Sequence, residues 1–218
     1  MHPRIRLSLI FTFFFILNLI RPVTAADVPD PTEQLHPLVD RIVTILTDKN
    51  LQGEENCMIR RQKVMDAVYE RFDFTEMSKR VLGSQWRELS DKKQKEFSDL
   101  FTTLLEHAYI GKIENYSNQK VEFRDQRIKN DRAEVKTDII DGEKVIPVSY
   151  IMMLKGSEWM VYDIVVEGVS LIRNYMEQFK EILRKDGYDS LLTQLREKVT
   201  ELELTSKPCP VTIPPKES

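Results

Sequence analysis

The stretch Arg132-Ala133-Glu134-Val135-Lys136-Thr137-Asp138-Ile139-Ile140-Asp141-Gly142-Glu143-Lys144-Val145-Ile146-Pro147-Val148 decides the fold. Ala133, Val135, Thr137 and Ile139 alternate with Glu134, Lys136 and Asp138, the period of a strand with one dry and one wet face. Asp141-Gly142 is hairpin-turn chemistry. Beyond it, Ile146, Val148, Tyr150, Met152 and Leu154 keep the period of two. Outward from this pair, Lys120–Ile128 and Glu158–Val166 read as flanking strands across the turns Lys129-Asn130-Asp131 and Lys155-Gly156-Ser157. Connections this short predict a four-stranded antiparallel meander. Its fourth strand is apolar on both faces apart from Asp163, and Gly168 ends it.

On both sides of this block the period becomes helical. Leu35, Leu38, Val39, Ile42, Val43 and Leu46 predict a helix over 32–50, and Met58–Tyr69 a second. Asp73 and Glu76 match a D-x-x-E capping box opening a third, with Phe72 placed to staple onto Met77 and Gly83 as its stop. Ser90 precedes the longest helix, to about Tyr116, whose stripe is Phe97, Leu100, Phe101, Leu104, Leu105, Ala108, Ile110 and Ile113. After the strands, Val169, Ile172, Tyr175, Met176, Phe179, Ile182 and Leu183 share a helix side that Gly187 stops. Asp189 caps a last helix carrying Leu191, Leu192, Leu195, Val199 and Leu202. The expected class is α+β: a four-stranded antiparallel sheet wrapped by N- and C-terminal helices, enclosing an apolar pocket.

The termini and the charge set the compartment. Arg4 and Arg6 precede an apolar run, Leu7–Ile20, and Val23-Thr24-Ala25 offers small residues for a cut before Ala26. Basic start, apolar middle and small-residue exit predict a cleavable export signal over 1–25. The run falls short of the roughly 20 apolar residues a spanning helix needs. Residues 26–34 are expected as a linker, 35–204 as one domain and 205–218 as a proline-rich tail. The mature chain would carry 29 basic against 35 acidic residues, a net charge of −6, which argues against nucleic acid as a partner. Export would let Cys57 and Cys209, the only cysteines, pair with each other or stay as free or intermolecular thiols. Two cysteines at this spacing form no metal motif.

Chemistry-bearing residues are sparse. The mature chain has two histidines, His36 and His107, and no HExxH, GxSxG or glycine-rich phosphate loop. Asp163 alternates with Val161 and Val165 in an apolar strand, where a carboxylate needs hydrogen-bond partners or a shifted pKa. It reads either as a structural carboxylate or as a general base in a conical α+β pocket. Met152, Met153, Met160 and Met176 recur with Tyr150, Tyr162 and Tyr175; methionine adapts to irregular guests, and it also fills ordinary cores.

Two segments carry a family resemblance. One is Phe72-Asp73-Phe74-Thr75-Glu76-Met77 with Val81-Leu82-Gly83-Ser84-Gln85-Trp86. The other runs from Trp159 through Tyr162-Asp163-Ile164-Val165-Val166-Glu167-Gly168 to Leu171, followed by Asn174-Tyr175 and Gln178-Phe179. Over about residues 35–202 the chain resembles the MlaC, or toluene-tolerance, family; the Cys57 region and the Pro/Cys tail lie outside the likeness. The resemblance implies a soluble periplasmic phospholipid carrier, not an enzyme. Such a carrier shuttles lipid between an inner-membrane MCE-domain ABC transporter complex and an outer-membrane lipoprotein–porin complex. It maintains outer-membrane lipid asymmetry, with lipid as cargo and no cofactor or metal. The alternatives are a small-molecule enzyme in a conical α+β pocket and a periplasmic chaperone or adaptor.

For a carrier, acyl chains are expected between the dry sheet face and the helices at 90–116 and 169–186. The expected lining is Phe101, Leu104, Leu105, Tyr150, Met152, Tyr162, Ile164, Val169, Ile172 and Tyr175. The signal reading makes its own prediction. The mass and N-terminal sequence of the exported protein should place its first residue at Ala26, whereas a chain starting at Met1 would make the apolar run an uncleaved anchor.

Overall fold

The computed structural model of the chain describes residues 28–114 and 119–205. The expected signal, Cys209 and the proline-rich tail lie outside the described residues. Helices α1 (Pro31–Thr47), α2 (Cys57–Arg71), α3 (Phe74–Leu82) and α4 (Asp91–Glu114) come first. Strands β1 (Lys120–Lys129), β2 (Arg132–Asp141), β3 (Lys144–Lys155), β4 (Glu158–Val166) and β5 (Val169–Ser170) follow, then α5 (Leu171–Thr205). The strands lie in sequence order in one sheet, and all pairings are antiparallel.

The fold is α+β, with one more strand than the sequence suggests. Glu167 and Gly168 both take positive φ, 51° and 82°, the signature of a two-residue hairpin whose twist matches its strands. The chain therefore turns back on β4, and Val169 pairs with Val166.

Local chemistry places most helix ends. The Asp30 carboxylate accepts from Glu33 N at 3.0 Å, and Pro31 occupies the first turn, where its missing N–H costs nothing. This starts α1 inside the expected linker. Asp73 accepts from Glu76 N at 2.9 Å, but only half of the expected box forms. Asp73 N donates to Val161 O at 2.8 Å, and the Glu76 side chain pairs with Arg80 at 2.8 Å. Gly83 ends α3 at φ 57°, ψ −123°, a conformation that only glycine adopts without strain. Gly187 (φ 78°, ψ 179°) breaks α5 into two arms, the second carrying Leu191, Leu192, Leu195 and Val199 into the core.

Two register shifts shape the sheet. One lies in β1 between Phe123 and Gln126. The other lies in β4, where Val161 pairs with Met152 and Asp163 pairs with Ile151, leaving Tyr162 as the extra residue. A bulge of one residue reverses which side chains face which way beyond it. Trp159 and Val161 therefore share a face with Met152, while Ile164 and Val166, beyond the bulge, share that same face with Tyr150 and Val148. Asp163 points to the opposite face from Val161, contrary to simple alternation.

The two faces of the sheet meet different partners. On one, Leu35, Leu38, Val39 and Ala67 of α1 and α2 pack on Ala133, Val135, Met152, Trp159 and Val161. On the other, Tyr162 joins Phe97, Phe101, Ile172 and Phe179 in the cluster made by α3, α4 and α5. A third cluster, Leu46, Val64, Met65, Val68 and Ile110, closes α1, α2 and α4 together. Trp159 is fully buried, and its indole N–H donates to Pro29 O at 2.6 Å, tying the N-terminal segment to β4. Burial of a side chain of this size contributes on the order of 3 kcal/mol.

Asp163 opens α5. Its Oδ1 accepts from Ile172 N at 3.0 Å and its Oδ2 from Ser170 Oγ at 2.5 Å, while Ser170 Oγ accepts from Arg173 N at 3.0 Å. Asp163 thus has hydrogen-bond partners for both oxygens. Asp163→Ala removes this relay, and loss of a helix cap costs about 1–2 kcal/mol. Thermal unfolding followed by circular dichroism should show Tm lowered by roughly 2–8 °C for a domain of this size.

Candidate functional site: an apolar cavity between sheet and helices

The sheet face that α1 and α2 cover is not fully filled. Beyond the packed end at Trp159 and Met152, the face continues through Val121, Ile139, Ile146, Val148, Tyr150, Ile164 and Val166. These residues line a cavity of about 610 Å³, within the roughly 300–1,000 Å³ range of ligand pockets. Its roof comes from α1 (Leu38, Val39, Ile42, Val43, Leu46), α2 (Met65, Val68) and α4 (Leu105, Tyr109, Ile110, Ile113). Phe72, Phe74 and Met77 form its back wall. At the other end Val166 and Val169 are 40% and 63% exposed, so the mouth lies beside the β4–β5 turn, with Leu171 and Asn174 of α5 next to it.

Few polar groups reach this space. Glu106, Lys112 and Asn174 line it, with the hydroxyls of Tyr109 and Tyr150. Burial pushes the Tyr150 phenol above its ordinary pKa, with Thr137 as its hydrogen-bond neighbour. Tyr109 and Tyr175 lie beside each other, and burial raises both phenols. These groups stay neutral at ordinary pH and act as walls with a satisfied polar end. Burial, then the neighbouring Glu106 carboxylate, raises the Tyr69 phenol.

Neither histidine lines the cavity. His36 stacks on Phe123 at 4.5 Å and pairs with Asp40 at 2.8 Å, and His107 lies 3.9 Å from Glu203. Among the described residues, no cluster of three or more His, Cys, Asp or Glu side chains could hold a metal. Cys57 is buried and is not a free thiol.

Behind Phe72 and Phe74 lies a second depression of about 650 Å³, open to solvent and lined by charged and hydroxyl side chains together with apolar ones. Its charges are matched: Lys155 pairs with Asp73, Arg71 with Glu158 at 3.4 Å, and Lys95 with Asp99 at 2.7 Å. The two aromatic rings separate this salt-bridged groove from the apolar cavity.

Of the ten residues read from the sequence as lining, the structure brings Leu105, Tyr150, Ile164 and Val169 to the cavity. Phe101, Leu104, Tyr162 and Ile172, with Tyr175 against them, pack instead in the cluster of α3, α4 and α5. Met152 is fully buried under α1 and α2. The reasons are geometric. The α4 stripe is wide enough to serve two partners, so Leu105, Ile110 and Ile113 face the sheet while Phe97, Phe101 and Leu104 face α5. The bulge turns Tyr162 away. Helix α5 packs on α3, α4 and the outer side of β4, so only its first turn reaches the mouth.

The methionines separate as well. Met153 packs towards the helical cluster, Met160 lines the salt-bridged groove and Met176 is exposed; the cavity's own methionines are Met65 and Met77. The α1 and α2 walls were legible only as helical stripes, because nothing in a stripe says which part of it stays uncovered.

Known proteins share this fold. A family model described as "MlaC protein" matches residues 37–197. A Haemophilus influenzae protein named intermembrane phospholipid transport system binding protein MlaC is 31% identical over 128 residues. That match takes in 56% of this chain and 60% of the relative. The fold of a phospholipid-binding protein from Ralstonia solanacearum, solved in complex with a phospholipid, superposes with a TM-score of 0.73 at 24% identity, covering 80% of this chain and 99% of that one. The fold and the family match over 37–197 agree, and the chain belongs to the MlaC family.

Proposed function

We propose that this protein is a periplasmic carrier that holds phospholipid acyl chains in the apolar cavity and moves lipid between membranes. The observation that carries the reading is the cavity: about 610 Å³ of preformed space, walled by aliphatic, methionine and aromatic side chains and open at one end. The names of the Haemophilus and Ralstonia proteins support the same ligand class.

The physical case is one of transfer. A diacyl lipid has about 30 methylenes, each costing roughly 0.8 kcal/mol in water, so free passage would cost on the order of 20 kcal/mol. An apolar cavity offsets most of that cost for whatever part of the chains it encloses. Bilayer and cavity are then nearly matched, and direction must come from partners. An inner-membrane MCE-domain ABC transporter complex and an outer-membrane lipoprotein–porin complex are the proposed donor and acceptor, in the service of outer-membrane lipid asymmetry. No helix of the described residues is long and apolar enough to cross a membrane, which suits a protein released from its export signal.

No catalytic group is needed, and the proposal includes none. Asp163, the carboxylate that the sequence offers as a candidate general base, is engaged with Ser170 Oγ and Ile172 N at the start of α5. Asp163→Asn should leave lipid occupancy and cellular function in place; loss of function with occupancy intact would favour the enzyme.

Native mass spectrometry of gently purified protein, with lipid extraction, should recover phospholipid adducts. Recovery of only ligand-free protein after incubation with phospholipid vesicles would sink the carrier. Substitution separates cavity from core. Val148→Trp projects an indole into the cavity and should lower the lipid-loaded fraction by roughly half or more, because the same space cannot hold ring and chain. Ile172→Trp overpacks the helical cluster and should cost about 1–3 kcal/mol of stability, seen as a lower denaturant midpoint.

A further inference from the structure

We infer that Cys57 and Cys209 are joined in an intramolecular disulfide, which ties the chain beyond α5 to the start of α2. Cys57 opens α2, is 8% exposed and is disulfide-bonded. The sequence holds one other cysteine, Cys209, four residues beyond the described end of α5 at Thr205. The bonded state of Cys57 removes the reading of two free thiols. The course of α5 then separates a bond within the chain from one between two copies.

Beyond Gly187, α5 runs alongside α4 in the same direction. Lys93 meets Asp189 at 3.1 Å, Glu96 meets Arg196, and His107 meets Glu203 at 3.9 Å. Glu114, the last residue of α4, lies seven residues past His107, about 10 Å further along the axis. Its Oε1 is 4.0 Å from Cys57 Sγ. The four residues from Thr205 to Cys209 reach up to about 14 Å when extended. Helix α5 therefore brings Cys209 within range of Cys57, and the two Cα atoms can close to the roughly 4.4–6.8 Å that a disulfide requires. A cysteine of a second copy has no such tether, so its effective concentration at this buried sulfur is far lower.

The bond forms by thiol–disulfide exchange. A protein disulfide of an oxidising export compartment takes the two electrons and two protons that the Cys57 and Cys209 thiols give up, and it leaves as a dithiol. The cross-link adds to contacts already in place, since Glu114 pairs with Arg61 at 2.9 Å and with Arg60 at 3.6 Å. It braces α2 against α4, the helices whose Met65, Val68, Ile110 and Ile113 roof the cavity. In the chain-entropy account, a bond between residues this far apart in sequence stabilises by restricting the unfolded chain. None of this depends on what the cavity holds.

The test uses the full mature protein, isolated from an export compartment without reductant. Unfolded in iodoacetamide, it should take up no label, and after reduction it should take up one label on each cysteine. A protease digest should yield a peptide pair joined through Cys57 and Cys209. Labelling without reductant, a digest with the two cysteines on separate peptides, or a dimer on non-reducing electrophoresis that reductant dissolves would overturn the intramolecular bond. Reduction of the folded protein should lower Tm by roughly 5–15 °C and speed amide hydrogen exchange in α2. Cys209→Ser should show the same lowered Tm without reductant and no further drop with it. A mapped bond whose reduction changes neither Tm nor exchange in α2 would overturn the brace.

Discussion

One extra residue in β4 organises this molecule. Because Tyr162 is bulged out of register between Val161 and Asp163, a single strand feeds two different cores. Before the bulge, Trp159 and Val161 close the sheet against α1 and α2. At the bulge, Tyr162 enters the cluster of α3, α4 and α5, its ring 3.8 Å from the Arg80 guanidinium. Beyond it, Ile164 and Val166 return to the first face, with α1 and α4 above them and space between. Without the shift, Ile164 and Val166 would share the opposite face with Tyr162, and the cavity would lose its floor.

The cavity persists because each surrounding element is held elsewhere. Asp73 N on Val161 O fixes the α2–α3 junction to the sheet. Trp159, bonded through its indole to Pro29 O and through its amide to Gln34 Oε1, fixes the start of α1. Arg61 pairs with Glu114 at 2.9 Å and fixes α2 to the end of α4. Helix α4 is further clamped to α5 by the rings of Phe97, Phe101, Tyr175 and Phe179. The helices therefore cannot settle onto the sheet without breaking contacts that each stabilise the fold, and close packing elsewhere leaves an unfilled apolar volume here. An apolar guest gains more from such a space than water would, since water finds few partners on its walls.

Polar groups are distributed to match. Charges on the groove behind Phe72 and Phe74 are paired among themselves, and burial keeps the phenols of the cavity neutral. The carboxylate of Asp163, which pattern alone set among apolar neighbours, is spent on the start of α5.

By itself, the sequence determined the elements and their order, apart from the short β5. Alternation at Ala133–Ile139 and the Asp141-Gly142 turn specified a meander, because side-chain direction in a strand follows period two. The Asp73 cap and the stops at Gly83 and Gly187 placed helix ends, because these depend on local backbone chemistry. The resemblance carried by Phe72–Trp86 and Trp159–Phe179 reached the family. Only the tertiary structure decided which apolar residues line the cavity and which fill the cores. Leu105, Tyr150, Ile164 and Val169 were legible as apolar positions, but so were Phe101, Met152 and Ile172, which pack elsewhere. A hydrophobic stripe records that a side chain avoids water. It does not record whether a neighbour fills the space above it, and that depends on a one-residue register shift and on where α5 comes to rest.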